Sequence, residues 1–247
     1  MRLRAGVLAL ALAGCGDVEV RQPLAARGAE LAQAPSVTGS RYNVFACTTC
    51  HAVRPGEVGT RILPGAPLEG AALRPTYWGG ETMHLREAVE RCWVYFMRGA
   101  PEDLDGPNGQ AIWAWLESIA PTGSTEGTTP VANTWPRTVG DPGAGGDPTR
   151  GMAIWNRGCA SCHGAFGTGA GRIGPLVSIV PRATVEEHCD DELPPGYPDR
   201  QAYIRGVVME KTRHGSFLGY AGTMPPFSEE VLTDAEVRDL ASMFSCP

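Results

Sequence analysis

Two pentapeptides constrain this chain more than anything else in it: Cys47-Thr48-Thr49-Cys50-His51 and Cys159-Ala160-Ser161-Cys162-His163. Each is C-x-x-C-H, the attachment signature of a c-type haem. The cysteines form thioethers with the porphyrin, and the histidine is held against the iron as its proximal ligand. A chain with two such signatures must wrap twice around a large flat group. The expectation is two covalently bound haem c groups, attached through Cys47, Cys50, Cys159 and Cys162, with His51 and His163 as proximal axial ligands. Other uses of C-x-x-C fit less well. A zinc site needs four ligands, and the chain holds no spare cysteine pair or H-x-x-x-H pair. A thioredoxin-type motif belongs beside a βαβ pattern, which the sequence lacks.

The first residues look like an export signal. Met1-Arg2-Leu3-Arg4 is basic, and Ala5 to Ala13 is a short apolar stretch. That stretch is too short to span a bilayer, which needs about 20 apolar residues. Leu12-Ala13-Gly14-Cys15 resembles a bacterial lipobox, which implies cleavage before Cys15 and acylation of its thiol. A membrane location then needs no transmembrane helix, because two acyl chains hold a protein firmly. Gly16 rather than aspartate follows the cysteine, and resemblance to Gram-negative lipoproteins favours the outer membrane. The net charge of −6 argues against nucleic acid as a partner.

The expected organisation is a signal peptide at 1–14, a tether at 15–25, a first domain at 26–120, a linker at 121–150 and a second domain at 151–247. The linker is rich in Gly, Pro, Thr and Asp and has no apolar periodicity. The two domains are loose repeats. Each opens with a helix candidate around Arg-Gly, at Arg27-Gly28 and Arg150-Gly151, then runs through its C-x-x-C-H and a Gly/Pro-rich loop. Each closes in an amphipathic helix: Gln110–Ile119, striped by Ile112, Trp115, Leu116 and Ile119, and Asp234–Phe244, striped by Val237, Leu240, Ala241 and Phe244. Thr233 to Glu236 reads as a helix start.

This plan resembles the small cytochrome c domain, twice over. The fold expectation is all-α, two cytochrome c domains joined by a flexible linker. For the second haem the distal ligand is read as Met224, which lies in the proline-stiffened Gly222-Thr223-Met224-Pro225-Pro226-Phe227 well before the last helix. His188 and His214 are the rivals, although Arg213-His214-Gly215 reads more as a turn. Gly174-Pro175-Leu176 fits the loop whose backbone carbonyl, in this family, orients the proximal histidine.

For the first haem the candidates are Met83, His84, Cys92 and Met97. Thr82 to Arg98 reads as a helix with Leu85, Ala88, Val89, Cys92 and Phe96 on one face. Met97 lies about 140° from Cys92 around an α-helix, so both face the iron only if the helix ends before Met97. Cysteine bookkeeping leaves Cys92, Cys189 and Cys246 outside the haem and lipid sites. Cys189 and Cys246 fall in one domain, and an oxidising compartment favours their pairing. The first domain also resembles the haem domain shared by thiosulfate dehydrogenases and the cytochrome subunit of the sulfur-oxidising complex. The likeness runs from Asn43 to His51, through Leu85 to Cys92, and on to Trp115-Leu116. It implies Cys92 as distal ligand, with Met97 as the alternative.

The functional expectation is periplasmic electron transfer between redox partner proteins by a lipid-anchored carrier. The enzyme alternative is oxidation of a sulfur compound such as thiosulfate at the first haem, with Arg54, Arg61, Arg74, Arg86 and Arg91 available to bind an anion. A third class is a passive role as part of a larger membrane complex.

Overall fold

A computed structural model of the 247-residue chain describes residues 23–121, 145–182, 185–215, 224–229 and 231–246. The lipobox Cys15 and most of the linker lie outside these residues. Among the described residues the regular structure is helical, and extended pairing is limited to the isolated bridges His51–Gly65 and Tyr77–Thr82. The all-α expectation is borne out. No described helix is long and apolar enough to cross a membrane.

In the first half α1 (Leu24–Ala32) crosses the closing helix α4 (Pro107–Ser118). The crossing is made at Gly28, where an added Cβ would lie 2.0 Å from the Ala111 carbonyl oxygen. The second half repeats the device. There α5 (Pro148–Ile154) crosses α8 (Asp234–Ala241), and a Cβ on Gly151 would lie 2.2 Å from the Asp239 carbonyl oxygen. The Arg-Gly pairs that mark the sequence repeat are therefore the points of closest helix approach. Both opening helices begin earlier than expected, reaching into the segments read as tether and linker. Pro148 sits at the first turn of α5, and the Asp147 side chain accepts from the Thr149 and Arg150 N–H groups.

Most of both terminal stripes is buried: Ile112, Trp115 and Leu116 in α4, Val237, Leu240 and Ala241 in α8, while Ile119 caps α4 and is half-buried. Phe244 is buried too, although α8 ends at Ala241 and short-range hydrogen bonds carry the chain on. Thr233 and Glu236 form a reciprocal cap at the start of α8. Arg150 bridges α5 to α8 through a forked pair with Asp239, at 2.7 and 2.8 Å. This hydrogen-bonded guanidinium, with the Asp147 N–H, holds the Asp239 carboxyl below its ordinary range. A depressed carboxyl stabilises the fold at pH values above its unfolded pKa of about 3.9, and that support is lost on further acidification. Asp239→Asn should therefore melt below the wild type near neutral pH, and the gap should close as both are melted at progressively lower pH.

Two helices depart from expectation. The helix read over Thr82–Arg98 begins only at α3 (Leu85–Arg91). The Thr82 hydroxyl accepts from the His84 N–H and donates to Glu87, so it closes a turn instead of joining the helix. After Arg91 the helix widens to an i→i+5 turn over Cys92–Phe96. The second departure is α7 (Arg200–His214), a 15-residue helix in a stretch read as loop. Its buried positions, among them Ala202, Ile204, Gly206, Val208 and Thr212, do not form one stripe. Neighbours pack on several sides of it, which erases the amphipathic signal. Cys189 and Cys246 form a disulfide that ties the loop before α7 to the end of the chain.

The halves meet. Ile62, from the loop after the first C-x-x-C-H, is buried in the core of the second half. Its N–H donates to the Arg157 carbonyl at 3.0 Å, and Arg157 Nε donates to the Thr60 carbonyl at 2.6 Å. In return Cys162 packs against the core of the first half.

Candidate functional site

Cys47–Cys50 forms the single helical turn α2, started where the Ala46 N–H donates to the Thr49 hydroxyl. The turn places both thiols on one side, and His51 leaves it in extended conformation. The His51 ring lies flat on Gly65, where an added Cβ would stand 2.1 Å from Cε1. Its Nδ1 sits 2.7 Å from the Ala66 carbonyl oxygen, so Nδ1 carries the hydrogen and Nε2 presents its lone pair. Burial lowers the pKa of this imidazole, which keeps it neutral and fit to ligate.

These groups line a cleft of about 1300 Å³, counting its open mouth. The opposite wall is the helix face read from the sequence: Leu85, Ala88, Val89, Cys92 and Phe96 all line it. Met97 lines it as well. The α-helical argument that separates Cys92 from Met97 fails because the turn between them is wide. The Met97 N–H bonds to the Cys92 carbonyl at 3.1 Å, which stacks Met97 one turn above Cys92. Met83 and His84 are exposed and do not line the cleft. Burial, with Cys47 nearby, pushes the Cys92 thiol up to about 12. It ionises at neutral pH only when a cation lies against it, and a ferric iron is such a cation. Cys47 is pushed up to about 11, and Cys50 is raised by burial and by Cys92, Cys162 and Cys47. A large apolar cleft, unpaired buried thiols on one wall and an oriented neutral imidazole suit a covalently attached haem.

The second signature is built alike. Cys159 ends a second wide turn, Trp155–Cys159, and α6 (Ala160–His163) carries the rest. The Cys159 thiol is pushed up to about 12 by burial and by Cys162. His163 Nδ1 lies 3.0 Å from the Ser178 carbonyl oxygen. In both halves the acceptor lies 15 residues after the histidine, a correspondence the C-x-x-C-H motifs alone do not reveal. The acceptor expected at Gly174-Pro175-Leu176 is thus displaced to Ser178. Those three residues form the turn before it, with the Val177 N–H bonded to the Gly174 carbonyl and Leu176 93% exposed. Trp155 braces the site, its Nε1 donating to the Gly164 carbonyl and its ring 5.8 Å from that of His163.

Met224 packs against the core of the second half. His188 is engaged with Asp191 at 2.7 Å. His214 is the buried last residue of α7, bonded to Glu210, and only Gly215 beyond it turns. Of the five arginines considered as anion ligands, Arg74 lines the first cleft, while Arg54 pairs with Glu69 and Arg86 with Asp105. Pro225, Pro226 and Ser228 also line that cleft, so the Met224 segment touches the first site from the second half.

Paired terminal helices, C-x-x-C-H turns and carbonyl-oriented histidines define a c-type cytochrome. Residues 146–242 match the family described as Cytochrome C oxidase, cbb3-type, subunit III. Thiosulfate dehydrogenase of Allochromatium vinosum (strain ATCC 17899 / DSM 180 / NBRC 103801 / NCIMB 10441 / D) is 32% identical over 145 residues, which are 56% of this chain and 50% of that protein. A solved structure, the as-isolated form of thiosulfate dehydrogenase (TsdBA) from Marichromatium purpuratum, aligns over 89% of this chain and 45% of its own, at 19% identity and a TM-score of 0.42. The chain spans about half the length of these relatives. The second half is thus similar to a c-type cytochrome family and the chain to part of thiosulfate dehydrogenase, and both likenesses support haem-based electron transfer.

Proposed function

We propose that the chain is a di-haem electron carrier of the periplasm, lipid-anchored through Cys15, in which electrons pass between two centres across a fixed internal interface. Haem c supplies one-electron redox chemistry when bound; the polypeptide attaches it, ligates it and sets the distance. The carrying observation is the reciprocal contact of the two attachment segments. Ile62 follows the first signature and is buried in the second half, while Cys162, in the second signature, packs on the first. Such contacts keep two attachment sites close without relying on chance encounters along a long linker.

The proposed iron ligands are His51 with Cys92 in the first half, Met97 being the alternative, and His163 with Met224 in the second. A thiolate-bound centre lies low in potential and a His/Met centre higher, so electrons run from the first half to the second and out to a periplasmic redox partner. Intact mass of protein matured in a native periplasm should report two haem additions together with acyl chains. Low-temperature EPR of the oxidised protein should show one thiolate-type and one His/Met-type low-spin ferric signal. A mass with a single addition, or two identical His/Met signals, would overturn this assignment.

The likeness to thiosulfate dehydrogenase supports a second reading, since Cys92 and Arg74 line one cleft. Thiosulfate with an artificial acceptor separates the two. Turnover by the wild type that Cys92→Ala abolishes favours the enzyme; equal, negligible rates leave the carrier.

A further inference from the structure

We propose that Arg213 is the positioning residue that fastens the Met224 segment to the second half and so holds the distal ligand of that site in place. The inference rests on the reading of Met224 as that ligand.

The segment cannot fix itself. Residues 224–228 belong to no helix or strand, and Pro225 and Pro226 have no N–H to donate. Its anchorage comes from the last turn of α7. The Phe227 N–H donates to the Thr212 carbonyl at 2.8 Å. Gly215, at φ +59°, abuts the segment so closely that a Cβ would stand 2.1 Å from the Met224 carbonyl oxygen. Between these two contacts lies Arg213, 1% exposed. Its Nη1 donates to the carbonyls of Phe227 at 3.1 Å and Leu232 at 2.6 Å, and its Nη2 donates to Asp234 Oδ1 at 2.5 Å.

All three acceptors follow Met224 in the chain, and together they carry it from the ligand loop into the first turn of α8. Only a planar fork reaches acceptors that diverge this way; an ammonium is a single point. A buried guanidinium is penalised for every hydrogen left without an acceptor, and Arg213 Nε has none, so stability alone is a weak reason for an arginine here. What the arginine adds is a defined path for an irregular backbone. That path also presents Pro225 and Pro226 to the first cleft, so the clamp shapes a wall of one site while placing a ligand for the other.

The test uses the haem-loaded full chain and monitors the red charge-transfer band of a methionine–ferric-iron bond while imidazole is added as a competing ligand. Apparent imidazole affinity rises in proportion to the fraction of molecules whose methionine is off the iron. Met224→Ala should remove the band. Arg213→Met should retain helical circular dichroism and bind imidazole at least about tenfold more tightly than the wild type, with Arg213→Lys in between. An arginine that acts on stability alone would leave the band and the imidazole affinity unmoved whatever the variants do to the melting temperature, which would overturn the proposal. Should Arg213→Met fail to fold, Arg213→Lys and Asp234→Asn decide the matter: wild-type imidazole affinity in both overturns it. If the wild type lacks the band and Met224→Ala changes nothing, the ligand reading fails, and the clamp falls with it.

Discussion

Cys92→Ala is expected to raise the midpoint potential of the first centre by about 0.1 V or more, a modest part of the range that axial ligands span. Cys92 opens onto the cleft that also holds Cys47, Cys50 and His51. Its thiol, pushed up to about 12, ionises when a ferric cation compensates the charge, and the resulting thiolate favours the oxidised state. With Cys92 gone, the i→i+5 stacking leaves Met97 as the nearest soft donor. A neutral thioether favours the reduced state, so replacement moves the potential upward. Met97→Ala, by contrast, should leave the potential nearly unchanged and lower stability, because Met97 is buried in the first core. Redox titration of both variants, with EPR of the oxidised forms, checks the asymmetry. If Met97→Ala moves the potential and Cys92→Ala does not, the ligand assignment is reversed.

The sequence carried the chemistry of this protein more clearly than its geometry. The attachment cysteines, their histidines and the terminal helix stripes follow from spacing alone, because each depends on residues close together in the chain. The wide turn after Arg91 does not. Cys92-Trp93-Val94-Tyr95-Phe96 is aromatic and β-branched, of modest helix propensity, but that composition does not specify a wide turn, and the extra residue appears only in the backbone hydrogen bonds. The α7 helix was hidden for a different reason: periodicity reports one buried face, and α7 is packed on several. The interface was hidden because Ile62 lies in a polar, glycine-rich loop and contributes to a core about a hundred residues away in sequence. A sequence repeat marks equivalent helices but says nothing of how the two copies sit against each other.

Gly65→Val should cause a selective loss at the first centre. Gly65 does two things at once. Its N–H donates to the Cys50 carbonyl at 2.8 Å, and its bare Cα lies against the face of His51. An added Cβ would stand 2.1 Å from Cε1 and 2.3 Å from Nδ1, inside any permitted contact. The ring cannot yield toward its own backbone without breaking the Nδ1 bond to Ala66, and that bond sets the tautomer that leaves Nε2 free. Overpacking of this kind, with a lost part-buried hydrogen bond, destabilises by about 2 kcal/mol or more. The damage should stay local, because His163 is oriented by Ser178 through separate residues. Gly65→Val should therefore lose the low-spin signal of the first centre and keep that of the second. Gly174→Ala is the control: nothing lies within 4 Å of its Cβ and, as at Gly65, its φ is not positive. Loss of both signals in Gly65→Val would mean that the two halves fold as one cooperative unit. Retention of both would show that the imidazole is not held in the way the His51–Gly65 contact requires.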